Sequence, residues 1–182
     1  MLSLIACANH RTEDCAALAE LRINRMSLPE GFTIRRASTA DLETLVAQRR
    51  AMFRDMGYDD EDALDSMSAK FRVWLLQHMN AGDYLAWLMS APDGSTAAGA
   101  GLWLMDWPPH MIGKGTRRGN VLNVYTMENF RRRGLARRLM EVVLHWCREN
   151  CVDTIILHAS PSGRTLYESM GFTATNEMRL RL

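Results

Sequence analysis

The stretch "VLNVYTMENFRRRGLARRLMEVVLHWCREN", residues 121–150, decides how this chain folds. It opens as an apolar run, passes through three consecutive arginines and a glycine, and continues at once as a long amphipathic pattern. The run reads as a strand. From Gly134 to Asn150 the spacing predicts a helix. Leu135, Leu139, Val142 and Trp146 form one stripe, with Arg138, Glu141, His145 and Arg148 mainly toward water. A helix that starts here leaves its first N–H groups without partners. Those donors and the helix dipole make a place for an anion. Gly134 has no Cβ to keep a ligand away, and Ala136 is nearly as small. Arg131, Arg132, Arg133 and Arg137 gather charge around the same point, an arrangement suited to a pyrophosphate. The competing reading is a plain turn with a solvated rim of arginines. Neither the G-x-x-x-x-G-K-S/T loop nor the G-x-G-x-x-G fingerprint is present.

Upstream, "FTIRRAS" alternates as a first strand. Thr39 is the expected cap of a helix whose face is Leu42, Leu45, Val46, Arg49 and Phe53, stopped by Gly57. "DALDSMSAKFRVWLLQHMNAG" predicts a second helix closed by Gly82. "DYLAWLMSA" and "AAGAGLWLMDW" read as paired strands around an Asp-Gly turn. The small residues between Ala97 and Gly101 suit a strand against which something packs closely. Residues 107–120, with two prolines and three glycines, read as a loop. Downstream, "DTIILHAS" predicts a buried strand, "SPSGRTLYESMG" a short helix, and "FTATNEMRLRL" one or two closing strands. The order β–α–α–β–β–β–α–β–α–β describes a mixed α/β domain. Its second half holds a right-handed β–α–β unit with parallel strands.

The 182 residues suffice for one domain with a real core. Residues 1–30 are expected to be an N-terminal extension, helical in part and dispensable, and residues 31–182 the single folded domain. A formal net charge of +1 gives no global attraction to nucleic acid or to an anionic membrane. No apolar run approaches the roughly 18 residues of a membrane span. Cys7, Cys15, Cys147 and Cys151 match neither a zinc site nor a disulfide scaffold, so reduced thiols in a cytoplasmic protein, and no metal, are expected.

Arg131-Arg132-Arg133-Gly134-Leu135-Ala136 resembles the Q/R-x-x-G-x-G/A signature of the GCN5-related N-acetyltransferase (GNAT) superfamily. "RTLYESMGF", residues 164–172, is similar to the superfamily's A-x-x-L-Y-x-x-x-G-F segment, and the spacing between the two also agrees. The chain departs where Glu128-Asn129 replaces the usual Pro-Glu, and where Ser160, Ser162 and Arg164 stand in a region that often holds an asparagine. The resemblance implies a GNAT-like, mostly antiparallel sheet of roughly six to seven strands flanked by about four helices, with a splayed parallel strand pair. It implies acetyl-CoA as co-substrate. The pantetheine arm would be held by main-chain groups of Val124, Tyr125 and Thr126. The pyrophosphate would be held by Arg131, Arg132, Arg133, Gly134, Leu135, Ala136 and Arg137.

The implied reaction is acetyl transfer to an amine by direct attack in a ternary complex, with Tyr167 as general acid toward the leaving thiolate. The alternative is a non-catalytic acyl-CoA-binding module of the same fold. For the base, Asp106, His110 and Glu128 are candidates, or Asn123 and Tyr125 through a water. Cys147 and Cys151 have no evident activating base, which argues against a covalent cysteine intermediate. The acceptor pocket is expected among Arg49, Arg50, Phe53, Met56, Tyr58, Trp103 and Trp107. The acceptor itself, a small-molecule or peptide amine, is not identified by these residues. A homodimer is the default oligomer.

Overall fold

The computed structural model describes residues 28–111, 113 and 115–181; the expected N-terminal helix, Cys7 and Cys15 lie outside them. The chain runs β1 (Thr33–Arg36), α1 (Leu42–Asp55), α2 (Glu61–Ala81), β2 (Tyr84–Ser90), β3 (Thr96–Asp106), β4 (Arg117–Thr126), α3 (Leu135–Glu149), β5 (Ile155–Leu157) and α4 (Arg164–Glu168). The strands form one sheet in the order β1-β2-β3-β4-β5, antiparallel until β5 joins β4 in parallel.

Local chemistry explains the helices. The Ser38 backbone N–H donates to Asp41 Oδ2 at 2.8 Å, so a 3-10 turn, Thr39–Asp41, leads into α1, with Ser38 rather than Thr39 outside the first turn. Asp60 caps α2 by accepting from the Ala63 N–H at 3.0 Å, and Gly82 ends it in the left-handed conformation. Leu64, Ser68, Phe71 and Leu75 are the buried stripe of α2. In α3 the buried set is Leu135, Leu139, Met140, Val142, Val143 and Cys147, with Trp146 half-buried at its margin.

Two apolar clusters lie on opposite faces of the sheet. One joins α3 to Leu85, Trp87, Met89, Ala98, Ala100, Leu102 and Val121. The other joins α1 and α2 to Tyr84, Ala86 and Leu88.

Three expectations are corrected. The sheet has five strands among the described residues, because no strand forms in residues 173–181. The expected loop 107–120 is shorter: β4 begins at Arg117, since Asp106 to Trp103 of β3 continue far enough to pair with Arg117 to Asn120. The strand expected over residues 154–160 is confined to Ile155–Leu157.

Two irregularities of β4 prepare the site. Its pairing with β5 ends at Val121↔Leu157, while β4 itself continues to Thr126. The ladder of the parallel pair therefore opens there, and the stretch of β4 beyond it, unpaired on its β5 side among the described residues, is the splay. Against β3, Gly99 faces Tyr125 but Gly101 faces Leu122, so β4 carries an extra residue at a bulge. Asn123 lies in that bulge at φ 56°, a left-handed conformation that asparagine tolerates better than most residues.

Candidate active site

The bulge places Asn123 on the α1–α2 face, where its amide is fixed from two sides. Nδ2 donates to Tyr84 Oη at 3.1 Å, and Oδ1 accepts from Arg49 Nη1 at 2.5 Å. Tyr84 is fully enclosed, and burial pushes its hydroxyl up to about 12, so it stays neutral and serves as a fixed hydrogen-bonding group. The small residues of β3 make room for this arrangement. A Cβ on Gly101 would sit 2.0 Å from Tyr84 Oη, and one on Gly99 would sit 2.2 Å from Gln48 Oε1. Their smallness answers a close approach by side chains of α1 and β2.

The arginine-glycine junction lies between β4 and α3. Gly134 adopts φ 76°, and a Cβ there would meet nothing, so the turn is open. Arg138 N–H is bonded back to Gly134 O at 3.2 Å; the N–H groups of Leu135, Ala136 and Arg137 precede it and have no intrahelical acceptor. The Leu135 side chain is part of the core, leaving its main chain to face the turn.

The four arginines are not equivalent. Arg132 is exposed with φ 60°. Arg133 lies 5.6 Å from the Phe130 ring centroid. Arg137 donates to Ser169 Oγ at 2.6 Å, tying the junction to the end of α4. Arg131 folds the other way: its Nε donates to Thr126 O at 3.1 Å and its Nη2 pairs with Asp55. Asp55 also accepts from Tyr125 Oη at 2.9 Å. The Tyr125 hydroxyl is pushed up by burial, then by its bond to Asp55.

Of the main-chain groups in question, Val124 packs toward the α3 cluster and Thr126 is half-buried. Met127 N–H donates to Ala97 O at 2.9 Å, so antiparallel alternation turns the Thr126 N–H away from β3, into the splay.

Tyr167 is half-buried in α4, against the α3 cluster, with its ring edge-on to Phe172 at 5.9 Å. Burial raises its pKa, which keeps the phenol protonated, and its hydroxyl makes no hydrogen bond among the described residues. Cys147 is buried and its thiol is pushed up to about 12 by burial, unsuitable for a nucleophile.

A cavity of about 750 Å³ opens beside the bulge, lined by Arg49, Ala63, Ser66, Met67, Lys70, Phe71, Trp74, Trp103, Asn120 and Leu122. Of the residues expected to form the acceptor pocket, Arg49 and Trp103 are here. Phe53 lies behind Arg49, with its ring centroid 4.9 Å from the guanidinium carbon. Met56 and Tyr58 are exposed, and Trp107 stacks under Arg118 at 3.9 Å. Arg50 is engaged with Glu61 and Asp65 at 2.5 and 2.6 Å.

Sequence reasoning missed the wall from α2. Phe71, Trp74 and Trp103 are joined by ring contacts, with Trp74 5.3 Å from Trp103 and 5.8 Å from Phe71. Met67, Lys70, Phe71 and Trp74 are spaced three and four apart, which puts them on one face of α2 but does not say whether that face lines a cavity.

The expected bases stand apart from this cavity's lining. Asp106 is 99% exposed with Arg117 at 3.9 Å, and Glu128 and His110 are exposed. His158 lies just beyond β5 with Glu177 at 3.3 Å.

Comparison with known proteins agrees with this geometry. The model of the Acetyltransferase (GNAT) family matches residues 45–172, which spans α1 through Phe172. A GCN5-related N-acetyltransferase from Ralstonia eutropha JMP134 is 35% identical, with a TM-score of 0.78 over 84% of this chain and 99% of that one. A predicted acetyltransferase from Clostridium acetobutylicum, solved with acetyl-CoA, is 24% identical with a TM-score of 0.75, covering 83% of this chain and 95% of its own. AAC(6')-Iy, solved with the bisubstrate analogue CoA-S-monomethyl-acetylneamine, shares the fold at 16% identity and a TM-score of 0.61, covering 83% of this chain and 97% of its own. No curated protein matches the chain. With the splay, the bulge and the arginine-glycine helix start all inside the matched segment, the chain belongs to the acetyltransferase (GNAT) family.

Proposed function

We propose that this protein is an N-acetyltransferase that moves the acetyl group of acetyl-CoA to an amine by direct attack in a ternary complex. The observation that carries the reading is the end of β4–β5 pairing at Val121↔Leu157, while β4 runs on to Thr126 ahead of the turn that opens α3. The splay offers the Thr126 N–H, and the turn offers the first N–H groups of α3 with an open Gly134 between them. These donors fit an elongated ligand with amides along one part and phosphates at one end. In this reading Val124, Tyr125 and Thr126 hold pantetheine by their main chain, while Arg132, Arg133, Gly134, Leu135, Ala136 and Arg137 surround the pyrophosphate. Arg131 would leave Asp55 to join them, or hold the turn in place.

The acceptor sits in the cavity beside Asn123. It enters as an ammonium, loses one proton to solvent and attacks as a neutral amine. The C–N bond forms, the C–S bond breaks, and the second amine proton returns to solvent. The thiolate takes its proton from Tyr167, which regains one from water. Acetyl-CoA supplies the activated carbonyl; the protein aligns it with the amine and protonates the leaving sulfur. The thiols and the modest net charge suit a cytoplasmic enzyme.

Calorimetric titration with acetyl-CoA, repeated on Gly134→Glu, tests the reading. Micromolar binding to the wild type, lost in a variant that still unfolds cooperatively, is the expected result. No binding by the wild type overturns it.

A further inference from the structure

Arg49 is treated differently from the arginines around it. Arg50 and Arg54 reach Glu61 at 2.5 and 2.6 Å, and Arg72 reaches Glu43 at 2.7 Å. Arg49 has no carboxylate partner among the described residues. Its guanidinium lies between two rings, 4.9 Å from the Phe53 centroid and 4.5 Å from that of Phe71. One nitrogen, Nη1, bonds the neutral amide of Asn123. Nε is buried and donates to nothing among the described residues. Nη2 donates to no described residue. A partly desolvated cation without a counter-charge is costly to maintain in a fold. Here it is held on the wall of a cavity whose lining, among the described residues, contains a second cation, Lys70, and no acidic side chain.

We infer that the acceptor amine carries a carboxylate, which pairs with Arg49 while Phe71, Trp74 and Trp103 receive an apolar or aromatic side chain. The inference rests on the acyl-transfer reading above and deepens it. The acceptor class is then an amino-acid-like zwitterion, and polycationic amines are disfavoured by Arg49 and Lys70. Guanidinium presents planar donors that match a carboxylate better than an ammonium does. One open guanidinium edge with one lysine at the rim suits a single negative charge. Binding through Arg49 also places the acceptor against Asn123, the bulge residue, and so beside the splay where the thioester is expected. The cavity volume falls within the usual range for small-molecule sites, roughly 300–1,000 Å³. Arg49 serves as a specificity-determining residue, and the carboxylate takes no part in the bond changes.

The test compares matched amines that differ by the carboxylate: L-phenylalanine against 2-phenylethylamine, and L-leucine against 3-methylbutylamine, with spermidine as the polycation. The readout is the ratio of kcat/KM, carboxylate-bearing over decarboxylated, for wild type, Arg49→Gln and Arg49→Lys. The wild-type ratio should exceed one by about tenfold or more. Arg49→Gln should lower it by at least about tenfold, and Arg49→Lys should restore part of it. A wild-type preference for the decarboxylated partners or for spermidine overturns the inference. So does a ratio that Arg49→Gln leaves unchanged, because Arg49 would then act only by supporting Asn123. Acetyl-CoA is titrated into the same preparations. Absent acetyl-CoA binding sinks the acyl-transfer reading itself, whereas intact binding with carboxylate-blind acetylation sinks only the carboxylate pocket.

Discussion

The two faces of the sheet are built from different material. On the α3 face, Leu135, Leu139, Met140, Val142 and Val143 close over Leu102, Leu104, Ala98 and Ala100. On the α1–α2 face sit the buried polar side chains Gln48, Ser68 and Asn123, together with the enclosed Tyr84 hydroxyl. Gln48 Nε2, Arg49 Nε and Asn120 Oδ1, without hydrogen-bond partners among the described residues, lie there too. Native folds satisfy nearly all buried polar atoms, so such a concentration marks a face retained for something besides packing. One face supplies stability to a sheet whose other face is free to hold chemistry.

The sharpest test of that division is its exception. Tyr167 belongs to the apolar side, yet its hydroxyl has no partner among the described residues. Tyr167→Phe should lower kcat by about 100- to 10,000-fold with little change in unfolding free energy or acetyl-CoA affinity. Wild-type turnover in this variant would make Tyr167 a packing residue and leave the apolar face without exception.

Next in size, Leu139→Ala removes a fully buried side chain from the packing face. It should cost about 2–5 kcal/mol in urea unfolding and leave kcat of the folded fraction unchanged. A fall in kcat out of proportion to unfolding would show the two faces to be coupled.

On the polar face, Gly101→Ala forces a methyl into the Tyr84 hydroxyl and should cost about 1–3 kcal/mol. In a Tyr84→Phe background the added cost should shrink, because the offending oxygen is gone. Strict additivity of the two changes would mean that β3 or Tyr84 moves aside, and that the close fit is not a constraint.

The smallest effect lies at the edge of both faces. The Arg35 hydrogen bond, outweighing burial, lowers Asp41 from 3.8 to about 2. Its carboxylate is thus favoured in the folded state, and the stability it contributes is present above pH 4 and lost as pH falls through 2. Asp41→Asn should cost about 1 kcal/mol at neutral pH, after screening at the exposed Arg35 partner, and should flatten that acid slope. An unchanged slope would assign acid sensitivity to other carboxylates.

How much of this was legible beforehand depended on the range of the physics. The α3 stripe, the Gly82 stop and the Asp93-Gly94 turn were readable because each is decided by residues a few positions apart. The arginine-glycine turn was legible from its own residues, whereas the splay was expected only through the motif's resemblance to a family. The β4 bulge was not, because it is set by which residues of β3 oppose Asn123. Strict alternation along "VLNVYT" would send Asn123 and Tyr125 to the α3 face with Val121, whereas the extra residue turns both to α1. The start of β4 was hidden for a similar reason: Arg117 and Arg118 look like loop until Asp106 and Met105 extend beside them. Trp103 was expected in the acceptor pocket, but Phe71 and Trp74 were not singled out, since three-and-four spacing does not distinguish a lining from an interior. The expected closing strands in residues 172–182 are not formed: residues 173–181 contain no strand, and the sheet ends at β5 among the described residues.

The early end of the β4–β5 ladder also gives the strand an internal clock. Gly119 has its amide hydrogen held by Thr154 O at 3.0 Å, and Met127 has its own held by Ala97 O at 2.9 Å. Thr126, between them, points its amide hydrogen into the gap. In deuterated water the strand should therefore exchange slowly, quickly and slowly again along a single run of chain. Whatever occupies the gap will slow the middle position while the flanking two keep their pace.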